Sequence, residues 1–333
     1  MILVTGGAGF IGSNLHAALV ARGLETVVVD RLRQGGKWRN LATHPPTRLI
    51  APEALEDFLA DHPPIEMVFH LGAISATTVT DGDLVWAVNV ELPLMLWRWC
   101  ASRGVRLVYA SSAATYGDGA SGFEDGLEGL DRLRPLNLYG WSKHVFDRAV
   151  ARAIGQGRPR PPQWAGLKFF NVYGPNEGHK GAMTSVVKVK LDEARAGQAP
   201  RLFRSDRPDI ADGEQKRDFV WVGDVVDVMM WLYDKPAVNG LFNLGTGTAR
   251  TYRAVADAAC RASGMAPQVE FIDMPAALRG HYQSFTEAPM HRLRAAGYGG
   301  QFTALEDGVA RYAALIDDPR YAALLGDVPQ ARD

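Results

Sequence analysis

The chain has 333 residues, of which 47% are hydrophobic and 22% are charged, and its formal net charge at pH 7 is −1. This length suits one large α/β domain with a smaller partner, and the composition is typical of a globular protein. The balanced charge does not favour a nucleic-acid ligand or an anionic membrane surface, and no apolar run reaches the ~20 residues that a membrane-spanning helix needs.

The first half of the chain alternates between strand-like and helix-like segments. Apolar, β-branched runs predict buried parallel strands at residues 2–5, 26–30, 66–70, 106–110 and 167–171. Helical periodicity predicts helices at residues 13–22, 52–61, 84–103 and 142–154. This alternation predicts an α/β fold with a doubly wound parallel sheet of the Rossmann type.

After Tyr173 the alternation weakens. We predict a helix followed by a short strand at 201–203, a polar loop at 205–215, a strand at 218–222, a helix at 225–233 and a strand at 241–244 that could return to the main sheet. The remainder is mostly helical, with one strand near 268–272. We infer an NADP-binding domain of residues 1–171 and about 218–245, and a smaller, partly discontinuous substrate-binding domain of residues 172–217 and 246–333.

The chain begins with an apolar stretch that resembles a signal peptide. Residues 1–20 lack a basic segment and glycines interrupt the apolar run, so a strand followed by a glycine turn explains them better. Cys100 and Cys260 are the only cysteines, too few for a disulfide framework, and no Cys/His spacing indicates zinc. We therefore expect no metal and a reducing, cytoplasmic location.

A glycine motif lies between the first predicted strand and the first predicted helix. Residues 5–12 read TGGAGFIG, so that Gly6, Gly9 and Gly12 satisfy G-x-x-G-x-x-G. Glycine at these positions allows a tight turn, a close approach of the backbone to a pyrophosphate and close packing of the helix on the strand. The amides at the start of the helix then face the anion. This context favours a dinucleotide site over an ordinary glycine-rich turn.

The residues after the second predicted strand bear on the choice of dinucleotide. Asp30 ends that strand, where a carboxylate can bind the adenosine ribose, and by itself it favours NAD. Arg31, Arg33 and Lys37 follow, and a basic cluster at this place suits a ribose 2′-phosphate. A cluster of basic residues is also typical of a solvated surface loop. We predict NADP as the cofactor, with NAD as the alternative.

Tyr139 and Lys143 are four residues apart and would share one face of a helix. An ammonium beside a phenol lowers the pKa of the phenol, which suits a general base near neutral pH. By itself such a pair is more typical of a helix surface. However, Ser111 and Ser112 follow a predicted strand, at the sheet edge where α/β proteins bind ligands. Ser112 can then hydrogen-bond a substrate alcohol or the ketone formed from it.

Together these motifs resemble the extended short-chain dehydrogenase/reductase family, which shares the glycine motif, the serine after the fourth strand and Tyr-x-x-x-Lys. The resemblance implies that Tyr139 is the acid/base, that Lys143 supports it and binds the nicotinamide ribose, and that Ser112 assists. Residues 217–220, which read RDFV, and 243–247, which read NLGTG, are similar to the nucleotide-sugar members. In those members the arginine that matches Arg217 contacts the sugar nucleotide.

Four further segments narrow the resemblance. Residues 34–41, 109–117, 170–181 and 278–286 are similar to ADP-L-glycero-D-manno-heptose 6-epimerases, and the GHKG at 178–181 is the most specific element. This resemblance implies an isomerase that oxidises the C6″ alcohol of an ADP-sugar, an ADP-heptose, with NADP and returns the hydride to the other face. It implies a second acid/base at Lys180 and a homo-oligomer, expected to be a pentamer. The product would serve lipopolysaccharide core biosynthesis.

The same resemblance implies further contacts with both ligands. For the cofactor it adds, beyond the glycine motif and the Asp30 segment, Phe10, Ile11, Leu71, Gly72, Ala73, Ile74, Ser75, Asn89 and Val172. For the substrate it implies Asn171, Ala182, Val189, Phe203, Arg204, Arg217 and Tyr282.

The sequence also differs from that of better-known heptose 6-epimerases, and these differences leave alternative functions to consider. Ala182 and Val189 stand where those members have a serine and a histidine, and the loop at 205–215 is longer. The alternatives are a nucleotide-sugar 4-epimerase, a dehydratase or a reductase of the same superfamily, and a non-catalytic dinucleotide-binding regulator. Residues 113–115 supply no acid of the kind that a dehydratase uses, and the presence of Tyr139 and Lys143 argues against a regulator.

Overall fold

The protein is described by a computed structural model that covers residues 1–275 and 284–321. Its strands are β1 (Ile2–Thr5), β2 (Thr26–Val29), β3 (Arg48–Ile50), β4 (Met67–His70), β5 (Arg106–Ser112), β6 (Trp164–Phe169), β7 (Asn171–Tyr173), β8 (Arg201–Phe203), β9 (Lys216–Arg217), β10 (Phe219–Trp221), β11 (Gly240–Leu244), β12 (Arg250–Thr251) and β13 (Glu270–Ile272). Its α-helices are α1 (Phe10–Ala21), α2 (Leu55–Ala60), α3 (Gly82–Trp86), α4 (Leu92–Arg103), α5 (Leu138–Gly155), α6 (Val186–Arg195), α7 (Val222–Asp234), α8 (Tyr252–Ala262), α9 (His291–Ala295) and α10 (Leu305–Asp317).

Within the described residues, seven strands form one parallel sheet in the order β11-β6-β5-β4-β1-β2-β3. Parallel strands need cover on both faces, and successive side chains of β1 point to opposite faces. Val4 packs with α1 and α7 through Leu15 and Val225, whereas Leu3 joins the core that contains α2, α4 and α5. The predicted doubly wound Rossmann sheet is confirmed, and the strand predicted at 241–244 does return to it as β11.

Three of the differences from the sequence prediction have clear local reasons. Strand β3 was not predicted, because it is an edge strand in which only Ile50 is buried. The helix predicted at 84–103 is broken by a π turn at Ala87–Glu91, just before Pro93, which has no N–H to continue a regular ladder. Helix α5 begins at Leu138 rather than at 142, because the side chain of Asn137 accepts the Gly140 N–H at 2.8 Å and caps the helix.

The part of the chain after Tyr173 adds three short strand pairs and a separate core. Strand β10 pairs with β7, β13 pairs with β8, and β12 pairs antiparallel with β9. Helices α6, α8 and α10 pack together through apolar side chains that include Leu191, Val255 and Val309. The strand predicted at 218–222 is therefore present as β10, but it lies outside the seven-stranded sheet. The division into two domains stays a prediction. None of the helices in 1–275 and 284–321 is long and apolar enough to span a membrane.

Candidate active site

The glycine motif forms a cradle, by which we mean Gly6, Gly9, Gly12 and the first turn of α1. Helix α1 begins at Phe10, three residues earlier than predicted, so Gly12 lies inside it. A Cβ atom on Gly12 would overlap the Gly6 carbonyl oxygen, so only glycine lets the helix start this close to the turn. The helix has no side-chain cap and no acidic residue in its first turn. Its free amides and positive dipole end therefore fit the pyrophosphate of a dinucleotide.

Asp30 lies beside the cradle, as predicted for a ribose-binding carboxylate. Its Oδ2 accepts the Ala8 N–H at 2.9 Å, and its Oδ1 accepts the Arg31 N–H at 2.7 Å and a hydrogen bond from Lys37 Nζ at 2.5 Å. The Arg31 guanidinium instead pairs with Glu53, and Arg33 is exposed. Of the three predicted cations, Lys37 is therefore the one placed directly at the carboxylate.

The loop after β4 forms the next wall of the cradle. The Leu71 N–H donates to the Thr5 carbonyl at 3.1 Å. The Ile74 N–H donates to Asn89 Oδ1 at 2.9 Å, and Asn89 Nδ2 donates to the Ile74 carbonyl at 2.9 Å and to Ser142 Oγ at 3.0 Å. Asn89 is fully buried, so it holds the loop rather than presenting its amide to the surface. The other predicted residues of this loop, Gly72, Ala73 and Ser75, lie half-buried or exposed along it.

The structure brings Tyr139 and Ser112 together; with Lys143 they form what we call the catalytic edge. The first turn of α5 packs tightly on the turn after β5, where a Cβ atom on Gly140 would lie 2.6 Å from the Ala114 carbonyl oxygen. Ser112 caps that turn by accepting the Ala114 N–H at 3.1 Å. The Ser112 hydroxyl lies close enough to the Tyr139 phenol to lower its pKa. The fold therefore brings two hydroxyl groups together that can both act on one substrate oxygen.

The electrostatics of this edge differ from the sequence expectation. The pKa of Tyr139 is raised, because burial of the phenol, together with the negative charge of Asp147, outweighs the lowering effect of the Ser112 hydroxyl. Lys143, which the sequence analysis expected to lower this pKa, is not among the groups that shift it. Burial also lowers the pKa of Lys143 to about 8, an effect that the carboxylate of Asp147 opposes. Lys143 Nζ donates to the Ala110 carbonyl at the end of β5, at 2.9 Å.

Lys180 lies next to the cradle, on the 3-10 turn Gly178–Met183. Its Nζ is 5.1 Å from the ring centroid of Phe10, in the first turn of α1, and 3.9 Å from a carboxylate oxygen of Glu177. The side chain is 24% exposed, and burial lowers the pKa of its ammonium while Glu177 raises it. A lysine with a lowered pKa can accept and return protons near neutral pH.

The segment 174–181 is attached to the cradle by asparagine side chains, which the sequence analysis missed. Asn14 Nδ2 donates to the Pro175 carbonyl at 3.0 Å, and Asn176 Nδ2 donates to Ser13 Oγ at 3.1 Å. Asn40 Nδ2 donates to the Ala8 carbonyl at 2.9 Å and to the Asn176 carbonyl at 3.1 Å. These bonds hold the turn that carries Lys180 against the cradle.

The predicted substrate residues are spread over the strands beyond the sheet. Asn171 and Val172 lie on β7, where Asn171 is exposed and Val172 is half-buried. Arg217 lies buried on β9, with its guanidinium 5.7 Å from the ring centroid of Tyr252. The next residue, Asp218, accepts the N–H groups of Thr246 and Gly247 and so fixes the strand in place.

A cavity of about 280 Å³ adjoins these strands, between α6, β8, β13 and Tyr252. Of the predicted residues, Val189 and Phe203 line it. The others in its wall, which the sequence analysis missed, are Val186, Lys190, Glu193, Arg201, Leu202, Gln215, Tyr252 and Ile272. Gln215 is 3% exposed, and in the described part of the chain its Nε2 has no hydrogen-bond partner.

Among the described residues, the predicted substrate residues Arg204 and Ala182 do not line the cavity. Arg204 is 54% exposed and pairs with Asp212 and Asp273. Ala182 is exposed on the turn that carries Lys180. Tyr282 falls outside the described residues.

Comparisons with known proteins identify the family. The sequence model of the NAD dependent epimerase/dehydratase family matches residues 2–245. The "ADP-L-glycero-D-manno-heptose-6-epimerase" of Nitratidesulfovibrio vulgaris (strain DP4) is 48% identical over 316 residues, which cover 94% of this chain and 96% of that protein. The protein of the same name from Fusobacterium nucleatum is 42% identical, with 94% and 96% covered. The chain belongs to the heptose-6-epimerase branch of this family.

Solved structures agree with membership of the heptose-6-epimerase branch. The ADP-L-glycero-D-manno-heptose-6-epimerase of Helicobacter pylori has a TM-score of 0.76 and 28% sequence identity, with 94% of each chain covered. The UDP-glucose 4-epimerase of Thermus thermophilus, in complex with NAD, has a TM-score of 0.75 and 30% identity, with 94% of this chain and 97% of that chain covered. The resemblance found in the sequence is confirmed, and so is the use of a nicotinamide dinucleotide.

Proposed function

We propose that this chain is an ADP-L-glycero-D-manno-heptose 6-epimerase, which inverts C6″ of ADP-D-glycero-D-manno-heptose without net oxidation. The observation that carries the proposal is the proximity of Ser112 and Tyr139 at the end of β5, on a sheet whose first turn fits a dinucleotide. The names of relatives that are 42–48% identical over nearly the whole chain support the substrate.

In this proposal the chain's own residues bind the cofactor and move protons. The cradle holds the pyrophosphate, Asp30 and Lys37 face the adenosine ribose, and Lys143 faces the nicotinamide ribose. A bound nicotinamide dinucleotide would supply the hydride chemistry, which is oxidation at C6″ followed by reduction from the opposite face. Burial keeps the Tyr139 phenol protonated at rest, so Tyr139 is suited to protonate the ketone oxygen, with Ser112 orienting the same oxygen.

An inverted centre needs proton transfer in two substrate orientations, and we propose Lys180 as the second group. Its position over Phe10 places it at the cradle, on a different segment from Tyr139. Its lowered pKa suits this role, because the neutral amine that accepts the C6″ hydroxyl proton during oxidation is then more available near neutral pH, and Tyr139 supplies the proton when the hydride returns.

For the cofactor we propose NADP. The support is the place of Lys37, whose ammonium lies 2.5 Å from the carboxylate of Asp30. A ribose 2′-phosphate beside Asp30 would meet this cation, which offsets the carboxylate charge that otherwise repels a phosphate.

For the nucleotide part of the substrate, we propose that the cavity takes the base and that Arg217 binds the diphosphate. The apolar wall of Val189, Phe203 and Tyr252 suits a flat ring, and Gln215 Nε2, which has no partner within residues 1–275 and 284–321, offers it a hydrogen bond. Arg217 lies on β9, the strand that directly follows Gln215, and a guanidinium suits bidentate binding of phosphate oxygens.

The direct test uses the purified protein with its cofactor and ADP-D-glycero-D-manno-heptose, and follows the configuration at C6″ by NMR. We expect conversion to a mixture of both epimers with no change in the amount of NADPH. Stoichiometric formation or consumption of NADPH would instead indicate a reductase or dehydrogenase. No inversion with cofactor present would reject the substrate assignment. The pentamer stays a separate prediction, which light scattering of the same sample tests.

A further inference from the structure

A fully buried ion pair lies behind the catalytic edge. Asp147 of α5 and Lys168 of β6 are 2.8 Å apart, and both side chains are 0% exposed. The sequence analysis did not identify either residue. A buried ion pair is weak evidence for stability, because the cost of removing both charges from water can equal their attraction. Its presence between two core elements therefore calls for an explanation other than stability.

The hydrogen bonds of this pair form a chain around Ser112. Asp147 accepts the Ser111 hydroxyl at 2.7 Å, and Lys168 Nζ donates to Thr115 Oγ1 at 2.6 Å. The Thr115 hydroxyl in turn donates to the Ser112 carbonyl at 2.8 Å. Ser112 is thus fixed on both sides, through its neighbour Ser111 and through its own carbonyl.

The same pair fixes the helix that carries Tyr139. Tyr139, Lys143 and Asp147 are spaced by four residues, so they share one face of α5. The contact of Gly140 with Ala114 fixes the start of this face against the turn after β5, and the bond from Ser111 to Asp147 fixes it two turns later. The two hydroxyl groups of the catalytic edge therefore have their separation set by bonds that involve neither of them.

We propose that Asp147 and Lys168 are positioning residues that hold Ser112 and Tyr139 in contact across α5, β5 and β6. The inference rests on the proposed function, because the separation matters only if these two hydroxyl groups act on the substrate. A displacement of about 1 Å from such a geometry lowers turnover by about 100-fold in enzymes.

Asp147 also bears on the charge of Lys143. Its carboxylate raises the pKa of Lys143, which burial lowers to about 8. Asp147 on its own helix and His70 at the end of β4 interact with Lys143, and Asp147 in turn binds Lys168 of β6 and accepts the Tyr109 hydroxyl of β5 at 3.3 Å. Burial and Lys143 lower the pKa of His70 to about 3, so it is uncharged at neutral pH. Without the carboxylate, Lys143 loses its proton at a lower pH.

The test compares Asp147→Asn, the double variant Asp147→Leu/Lys168→Met and the conservative Lys168→Arg. Asp234→Asn is the matched control, since Asp234 forms an exposed pair with Arg22 at 3.0 Å. We expect kcat for epimerisation to fall about 10- to 100-fold in the first two variants, with KM changed less than about threefold. Their alkaline loss of activity should begin at a lower pH than in the wild type. Lys168→Arg should retain most of the activity.

The double variant separates positioning from folding, because it removes both buried charges together and should unfold no earlier than the wild type. A double variant that is as active as the wild type, with the same pH profile, would overturn the inference. So would a loss of kcat that only accompanies a loss of thermal stability in every variant. An inactive wild type would reject the proposed function, and the inference with it.

Discussion

The catalytic edge and the cavity differ in whether their buried polar side chains have hydrogen-bond partners within the protein. At the catalytic edge Lys143 donates to a backbone carbonyl, and in the adjoining loop Asn89 is bonded to Ile74 and Ser142. In the cavity, Gln215 is 3% exposed, and its Nε2 has no partner among the described residues. The polar side chains of Lys143 and Asn89 are therefore bonded within the protein, whereas Gln215 offers a buried donor to a ligand.

This difference follows from what each region must do. Groups that stabilise a reaction act best when they are fixed before the substrate arrives. Groups that select a substrate gain most when only the correct ligand satisfies them, because a wrong ligand leaves them buried and unpaired. We therefore expect changes at the catalytic edge to lower kcat and changes at the cavity to alter binding.

The strongest test of the catalytic edge is Tyr139→Phe. The change removes the hydroxyl beside Ser112 and leaves the ring in place, so we expect kcat to fall by about 10²- to 10⁴-fold, the usual contribution of a general acid/base. NMR of C6″ measures the rate. Tyr233→Phe is the control, since it removes a hydroxyl that bonds to Glu66 at the surface. Activity of Tyr139→Phe within threefold of the control would remove Tyr139 from the mechanism.

Lys180→Met tests whether the catalytic machinery extends to the cradle. The variant keeps the length of the side chain over Phe10 but has no proton to transfer, and we expect kcat to fall about 100-fold. Binding of the cofactor, measured by fluorescence titration, should change little. The exposed Lys235→Met serves as the control. Full activity of Lys180→Met would refute an acid/base role for this lysine.

A smaller effect is expected for Lys37→Met, which tests the choice of cofactor. Removing the ammonium beside Asp30 should weaken NADP binding by about tenfold, the worth of one charge-assisted hydrogen bond. NAD binding should stay constant or improve, because Asp30 is then free to bind both ribose hydroxyls. Titration of cofactor-free protein with each dinucleotide measures both constants. Equal weakening for the two cofactors would contradict NADP selection by Lys37.

The smallest effects are expected for Gln215→Leu, which should weaken nucleotide binding but increase thermal stability. The variant should bind ADP about 3- to 10-fold more weakly in calorimetry, because one hydrogen bond to the base is lost. The free protein should be more stable to heat, because a buried amide without a partner has been removed. Gln198→Leu, at an exposed position, should show neither change. Unchanged ADP binding by Gln215→Leu would place the base elsewhere.

The sequence predicted those parts of the structure that a few consecutive residues determine. Buried parallel strands, the glycine turn and the serine at the end of β5 each depend on a few consecutive residues, and each was found. Asp147 and Lys168 were missed because a charged residue on a helix or a strand ordinarily faces water, and only the packing of α5 against β6 reverses this. The rise in the pKa of Tyr139 was missed for a related reason, since the spacing to Lys143 is visible in a sequence and burial is not.

The substrate region was less predictable because it is built from short pairings of distant segments. Gln215 ends a polar stretch that reads as loop, and it becomes buried only when α6, β8 and β13 enclose it. Val189 and Phe203 were identified only through resemblance to a family. Arg204, identified in the same way, lies exposed with two aspartates.

The asparagine bonds that attach segment 174–181 have a kinetic consequence. Asn14 and Asn176 join the segment to α1 and Asn40 joins it to the glycine turn, and these bonds must open before the Lys180 turn can separate from the cradle. At about 1 kcal/mol each, these bonds would slow the escape of a dinucleotide by about 100-fold. Slow release of the dinucleotide does not limit turnover when each catalytic cycle returns the cofactor to its oxidised form. The dwell time of the coenzyme can then exceed many turnovers, as it does for a prosthetic group.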